Sequence, residues 1–502
     1  MNFNRVAKQA SVITLSTFIL LGGSGTQTSA APKDDRDHKE TYDTSQITRY
    51  DMKQMIKQHG DDKFTVPDFD ESTIKNIPSA VKKDENGNEV VMDVWDTWPL
   101  QNADGTVAEY NGYHIVFGLA GDPENANDTF IYMFYKKVGE TSIDAWKNAG
   151  RVFEDDDHKN VPEDPYLKHQ AEEWSGSATF TSDGEVRLFY TNREPFNVDE
   201  GRYGKQTLTT AQVNLSEPDT KTLEIDGVED YKSIYEGGDS SIYQTAEKAF
   251  GVEDSGQMST MSSNEINFDD NHTFRDPHYI EENGRKYLVF EANTGTDYGY
   301  QGEESLYNQA YYGKSNKFFQ DEKAKLLQSP KKNLAELANG AIGIVEINDD
   351  YTLKNEMKPL IVANTVTDEI ERPNIFKKDG KWYLFTSARG SKMTIDGIDD
   401  EDIYLLGYVA DSLTGEYKPL NKTGIVLHQD LDPNDVTWNY AHYAIPQEDS
   451  DNVVVTSYMT NRGFFEDHKS TFAPSFLMNI KGGKTSVVED GILEQGQILE
   501  EE

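Results

Sequence analysis

The chain has 502 residues with 48 basic and 89 acidic side chains, for a formal net charge of −41. A surface of that sign repels phosphate backbones and anionic lipid headgroups, which excludes nucleic acid as a partner. Its 27 Tyr, 23 Phe and 6 Trp are more than a disordered acidic chain carries, so it folds. The absence of cysteine rules out disulfides, thiolate nucleophiles and cysteine-bound metal centres, so the fold rests on packing, hydrogen bonds or hard cations.

Residues 1–30 read as a secretory signal peptide. Arg5 and Lys8 form a basic start, and residues 10–21 (ASVITLSTFILL) are apolar but fall short of the roughly 20 residues a spanning helix needs. Thr28-Ser29-Ala30 suits cleavage before Ala31. An uncleaved anchor is the alternative, although no later stretch offers a second span. The expectation is a secreted protein with no membrane attachment after cleavage. Residues 31–83 are polar and charged, with one weak helical pattern at 47–56, and read as an N-terminal arm.

From 84 to 502 the texture is that of an all-β domain. Short runs rich in Tyr, Phe, Val and Ile, such as 113–117, 130–135, 186–190 and 453–458, alternate with Asp-Gly, Asn-Gly and Gly-Gly turns. Helix is expected at 322–327 and 331–337, broken at Pro330, and in a short piece at 305–310.

Self-similarity orders these strands. The stretch from Asp276 to Leu288 and the stretch from Arg372 to Leu384 share a proline, a glycine seven residues later and a tyrosine three beyond that. A weaker copy runs through Asp183-Gly184, and related starts lie at Asp96 and near Tyr440. Unit starts near 96, 174, 276, 371 and 440 give a mean spacing of about 86 residues. Five four-stranded units arranged radially make a five-bladed β-propeller with a central funnel; a two-sheet sandwich is the alternative.

In a propeller the starts of the inner strands converge at one end of the axis, and here those starts carry acids. Asp96, Asp276 and Glu371 each lie within three residues of a proline, and Trp95, Trp98 and Trp174 lie beside the same starts. Carboxylates flanked by indole faces suit sugars: rings pack on C–H faces, and paired acids serve glycosidic cleavage.

Five segments, Asp93-Val94-Trp95-Asp96-Thr97-Trp98-Pro99-Leu100, Glu173-Trp174-Ser175-Gly176-Ser177-Ala178, Phe274-Arg275-Asp276-Pro277-His278, Phe290-Glu291-Ala292-Asn293-Thr294-Gly295 and Asp368-Glu369-Ile370-Glu371-Arg372, together resemble the bacterial levansucrases and inulosucrases of glycoside hydrolase family 68. That resemblance, closest to the secreted Gram-positive members, implies a five-bladed propeller and transfer of fructose from sucrose to a growing fructan or to water. It implies Asp96 as nucleophile, Glu371 as general acid and base, and Asp276 as stabiliser of the oxocarbenium-like transition state. Trp95 and Trp174 would wall the fructosyl subsite, Ser175 would orient Asp96, and Arg275 would hold sugar hydroxyls. Glu369 and Arg389 would serve the glucosyl side and acceptors, with Tyr440 and Asn271 near that rim.

The same resemblance implies a structural Ca²⁺ on Asp270, Gln301, Asn339 and Asp368, all of which offer the oxygen donors Ca²⁺ prefers. Nothing points to an organic cofactor, and a monomer is expected. Ser387-Ala388 before Arg389, and Trp438-Asn439-Tyr440-Ala441-His442, depart from the Asp-Ser and Tyr-Ser-His that relatives often carry. These departures bear on acceptors, and so on linkage and polymer length. Levan (β-2,6) is expected over inulin (β-2,1); an invertase-like hydrolase and a non-catalytic glycan-binding propeller are the remaining readings.

Overall fold

Short β-branched and aromatic runs closed by two-residue turns form strands that meander into separate sheets. At Asn283-Gly284 and Asp379-Gly380 both turn residues have positive φ (54° and 73°; 51° and 74°), the conformation that matches the twist of a tight hairpin. The computed structural model describes residues 44–500 apart from 85, 123–128, 155–171, 194–195, 198–201, 204, 238–241, 246–272, 300–301, 430, 433 and 461–467.

Five antiparallel blades follow in chain order. The first comprises Asp93–Gln101, Tyr113–Gly121, Thr129–Lys137 and Lys147–Arg151; the second Glu172–Phe180, Val186–Arg193, Gln206–Asp219 and Thr222–Tyr235. The third comprises Phe274–Glu282, Arg285–Asn293 and Gly340–Ile347, with Leu353–Glu356 and Ile361–Val362 sharing its outer position. In the fourth, Glu371–Lys378, Lys381–Arg389 and Ile403–Ala410 are completed by Lys418–Pro419 and Ile425–His428. The fifth comprises Asn439–Pro446, Asn452–Met459, Pro474–Lys481 and Lys484–Gln495. Each innermost strand touches the next and the last touches the first, which closes the ring of a five-bladed propeller. The inner strands of the first two blades also pair in parallel at Leu100–Ala178 and Gln101–Thr179. All five unit starts expected from the sequence fall at inner strands.

The core lies between blades. Trp98, Phe117, Phe134, Tyr443 and Phe472 fill the space among the first, second and fifth blades, and Phe189, Phe274, Tyr279 and Phe290 fill that between the second and third. The segment before the first blade is anchored on the same scaffold. Ser45-Gln46 adds in parallel to Ile361-Val362, and Ile47, Met52 and Met55 bury against the third and fourth blades. The helix expected near 47–56 spans Arg49–Met55, capped by Thr48. Its Arg49 is fully buried, donating to the Thr365 carbonyl at 2.7 Å and to Thr394 Oγ1 at 2.8 Å and pairing with Glu322 at 3.2 Å. Glu322 belongs to an inserted helix, Asn316–Leu326, which starts six residues before its expected position because Ser315 caps it. The second inserted helix, Lys332–Leu337, follows Pro330 as expected. Val81–Lys83 pairs with Glu89–Val91, so a hairpin crosses the expected boundary at residue 84. Residues 1–30 lie outside the described residues. Among the described residues no helix is long and apolar enough to cross a membrane.

Candidate active site

The inner strands share one irregularity. Pairing with the second strand of the blade slips between Trp95 and Trp98, Trp174 and Gly176, Arg275 and His278, Glu371 and Asn374, and Tyr440 and Tyr443. At four of these bulges a non-glycine residue adopts positive φ: Asp96 (45°), Asp276 (57°), Arg372 (53°) and Ala441 (56°). Such conformations cost on the order of 1–3 kcal/mol each and persist where the surroundings fix them. In the second blade the bulge falls at Gly176, without positive φ, and a Cβ there would lie 2.0 Å from the Phe189 carbonyl oxygen. The bulges re-aim side chains that a regular pleat would alternate between faces. Three acids thereby reach one end of the axis.

That end holds a cavity of about 300 Å³ lined by Trp95, Asp96, Trp174, Ser175, Arg275, Asp276, Glu371, Arg372 and Tyr440, among others. Ser175 Oγ donates to Asp276 Oδ1 at 2.6 Å and lies 3.4 Å from Asp96 Oδ2, so the serine expected to orient Asp96 makes its shorter bond to Asp276. Asp276 Oδ2 accepts from the Arg372 backbone N–H at 3.0 Å, and the Asp276 N–H donates to Thr191 Oγ1 at 2.9 Å. Arg372 also places Nη1 3.8 Å from Asp96 Oδ2 while Nη2 donates to the Thr97 carbonyl at 2.9 Å. Of the three acids Asp96 has the most open side chain, at 22 % against 13 % for Glu371. Burial pushes its carboxyl above the usual aspartate range, opposed chiefly by Arg372.

Glu371 sits in a web of charge. Tyr440 Oη donates to its Oε2; Arg389 Nε lies 3.3 Å from the same oxygen, and Arg275 Nη2 lies 3.4 Å from Oε1. Desolvation outweighs these cations and raises Glu371 to about 7, with Glu369 and Asp276 adding to the rise. Arg275 is clamped by Glu291 (2.7 and 3.1 Å) and by Glu369 (2.8 Å), so carboxylates already occupy much of its donor set. Glu369 is 6 % exposed, pairs with Lys392 at 3.3 Å and stands behind the cavity lining. Arg389 is exposed at the rim, stacked 4.4 Å over the Tyr440 ring.

Arg372, Thr191, Glu291 and Lys392 carry much of this network without having been singled out from the sequence. Arg372 and Glu291 had a signal there, since both lie inside the quoted motifs; Thr191 and Lys392 had none. Asn271, Asp270 and Gln301 lie outside the described residues. The other two expected calcium ligands come together: Asn293 Nδ2 donates to Asn339 Oδ1 at 3.0 Å and to the Asp368 carbonyl at 3.1 Å, and lies 3.4 Å from Asp368 Oδ1. Both Asn339 and Asp368 are buried, 0 % and 1 % exposed, and a buried carboxylate beside an amide oxygen is a donor pair that fits a hard cation.

Acids raised on bulges of adjacent propeller strands, walled by tryptophan, with one buried carboxyl titrating near neutrality, define a propeller enzyme that acts on glycosidic bonds. The chain belongs to the levansucrase/invertase family, glycoside hydrolase family 68, whose pattern it matches over residues 37–499. It is 63 % identical over 498 residues to a levansucrase of Bacillus subtilis (strain 168), and 62 % identical to a protein of Geobacillus stearothermophilus named an inactive levansucrase, each alignment covering 99 % of both chains. A crystal structure of a B. megaterium levansucrase point mutant superposes with a TM-score of 0.85 at 64 % identity, covering 91 % of this chain and 98 % of that one. A levansucrase variant complexed with sucrose gives 0.83 at 64 % identity, with 92 % and 99 % covered.

Proposed function

We propose that this chain is a secreted sucrose-dependent fructosyltransferase that builds levan and releases glucose. The carrying observation is the convergence of Asp96, Asp276 and Glu371 on one indole-walled cavity, with Glu371 raised to about 7. Because an inactive protein is as similar as active ones, the intact acid set supports turnover more strongly than overall identity does.

In the first half-reaction Asp96 attacks the anomeric carbon of the fructosyl unit while Glu371 gives its proton to the departing glucosyl oxygen. The glycosidic C–O bond breaks, an ester to Asp96 forms, and glucose leaves. In the second, ionised Glu371 takes the proton of an acceptor hydroxyl, whose oxygen attacks the same carbon and frees Asp96. Asp276, held by Ser175 and the Arg372 amide, stands where positive charge develops on the sugar. Arg389 and Tyr440 line the acceptor side, where a sugar hydroxyl competes with water. The leader at residues 1–30 supports export.

A structural Ca²⁺ belongs to the same reading, held by Asp270, Gln301, Asn339 and Asp368, and would tie the start of the strand Gly340–Ile347 to the segment that precedes Glu371. Full chelation is expected to lower Tm by several degrees; an unchanged melt with metal removal verified would overturn the assignment.

The deciding experiment follows free glucose and free fructose released from sucrose by the purified protein. Glucose well in excess of fructose, with a growing β-2,6 polymer, is the expected result. Equal amounts would mean a hydrolase, a β-2,1 polymer an inulosucrase, and neither sugar a binding propeller.

A further inference from the structure

At the outer edge of the fourth blade two imidazoles and a carboxylate meet. His59 ends the 3-10 turn Ile56–Gln58 that follows the N-terminal helix, Asp402 precedes the strand Ile403–Ala410, and His428 ends the strand Ile425–His428. Their ligating atoms all lie within 4.8 Å of one another. The imidazole rings stack with centroids 3.9 Å apart and planes inclined by 13°, so the partly buried His59 ring must turn out of the stack for both in-plane lone pairs to reach one ion. His428 Nε2 lies 3.0 Å from Asp402 Oδ1, and Tyr404 Oη bridges His59 Nε2 at 3.1 Å and Asp402 Oδ2 at 3.0 Å.

We propose that His59, Asp402 and His428 form a binding site for a borderline divalent metal ion such as Zn²⁺, separate from the expected calcium site. Two imidazole nitrogens and one carboxylate are the donor set that zinc-class ions take, whereas Ca²⁺ and Mg²⁺ seek oxygen alone. Bound through Nε2, His428 is the neutral Nδ1–H tautomer, and its Nε2 lone pair faces the ion in place of its present 3.0 Å contact with Asp402 Oδ1. The supporting contacts are in place: Asp402 Oδ2 accepts from the Asp399 N–H at 2.9 Å, which fixes the carboxylate and leaves Oδ1 facing His428. His428 is held by its backbone, which donates to the Phe64 carbonyl at 2.6 Å and accepts from the Val66 N–H at 3.1 Å. Among the described residues its Nδ1 has no hydrogen-bond partner, so no donor there holds the ring in the Nε2–H tautomer. His59 and Asp402 are only partly buried, which leaves an approach from solvent.

The consequence is a clip. His59 comes from the segment before the first blade, and the other two ligands come from the fourth, so one ion joins parts of the chain that no disulfide can join. The Asp402 carbonyl also accepts from the Gly390 N–H at 2.7 Å, placing the clip at the base of the loop that carries Lys392 toward Glu369.

The test titrates the purified full chain with Zn²⁺ in saturating Ca²⁺, reading stoichiometry by calorimetry and Tm by scanning. One Zn²⁺ per chain and a Tm rise of about 2 °C or more at a hundredfold excess over Kd are expected, with no such rise for Mg²⁺. His59→Gln and His428→Gln should each weaken binding at least about tenfold. His59→Gln, on a partly exposed side chain, carries the test where His428→Gln disturbs packing. Absence of saturable Zn²⁺ binding, or unchanged Zn²⁺ affinity in His59→Gln, would overturn the proposal.

Discussion

The middle strands of the first blade and the mouths of the inner strands obey opposite rules. Tyr113–Gly121 pairs with Thr129–Lys137 residue for residue over nine positions and is buried throughout. Each inner strand instead slips register within its first few residues, and at four of the five slips a non-glycine residue is driven into positive φ. The first region gathers apolar area and unbroken hydrogen bonds; the second gathers carboxylates that water would solvate better. The difference teaches where this fold keeps its stability and where it stores strain for chemistry.

The sharpest break in that comparison is chemical. Asp96→Asn is expected to lower kcat by roughly 10⁴-fold or more, and Glu371→Gln by about 10²- to 10⁴-fold, with far-UV circular dichroism unchanged. Full activity in either variant would remove that residue from its role. The converse change lies in the ladder: Phe134→Ala deletes a fully buried ring that meets Phe472 edge-on at 6.0 Å. It should cost about 3–5 kcal/mol of stability while the folded fraction keeps its kcat; a selective loss of kcat in fully folded protein would show that the ladder serves catalysis directly.

A smaller effect follows pH. As the proton donor Glu371 must be protonated, so kcat/KM should fall as pH rises through about 7. The stability sign agrees: a carboxyl raised in the folded state binds its proton more tightly there than in the unfolded chain. Its contribution is therefore fully present below the usual glutamate range and is lost as pH rises toward 7. Arg389 is the largest influence holding Glu371 down, so Arg389→Gln should move the alkaline limb to higher pH. A limb that stays in place would assign it to another group.

The unit starts were legible because a propeller repeats its hairpin, and a proline with Asn-Gly or Asp-Gly marks the same steps in the third and fourth units, with weaker copies elsewhere. The helical break at Pro330 was legible for an equally local reason, the ring's missing N–H. The site's supports were less so. Arg372 lies inside a quoted motif, but its role appears only when its backbone N–H is seen on Asp276 and its guanidinium beside Asp96. Ser175 could be placed in the site by motif, but which of two aspartates takes its shorter hydrogen bond, 2.6 Å against 3.4 Å, is decided by the packing of three blades.

By itself the sequence determined the exclusions of charge and composition, the strand texture, the five-fold repeat, and the acids and indoles at its starts, because these depend on residue type and short-range spacing. Only the tertiary structure decided that Arg49 is buried against Glu322, that His59 meets Asp402 and His428, and that burial lifts Glu371 to about 7. Each depends on groups distant in the chain brought within a few ångströms, where desolvation and Coulomb terms, weak in water, become large enough to set a proton's affinity or choose a partner.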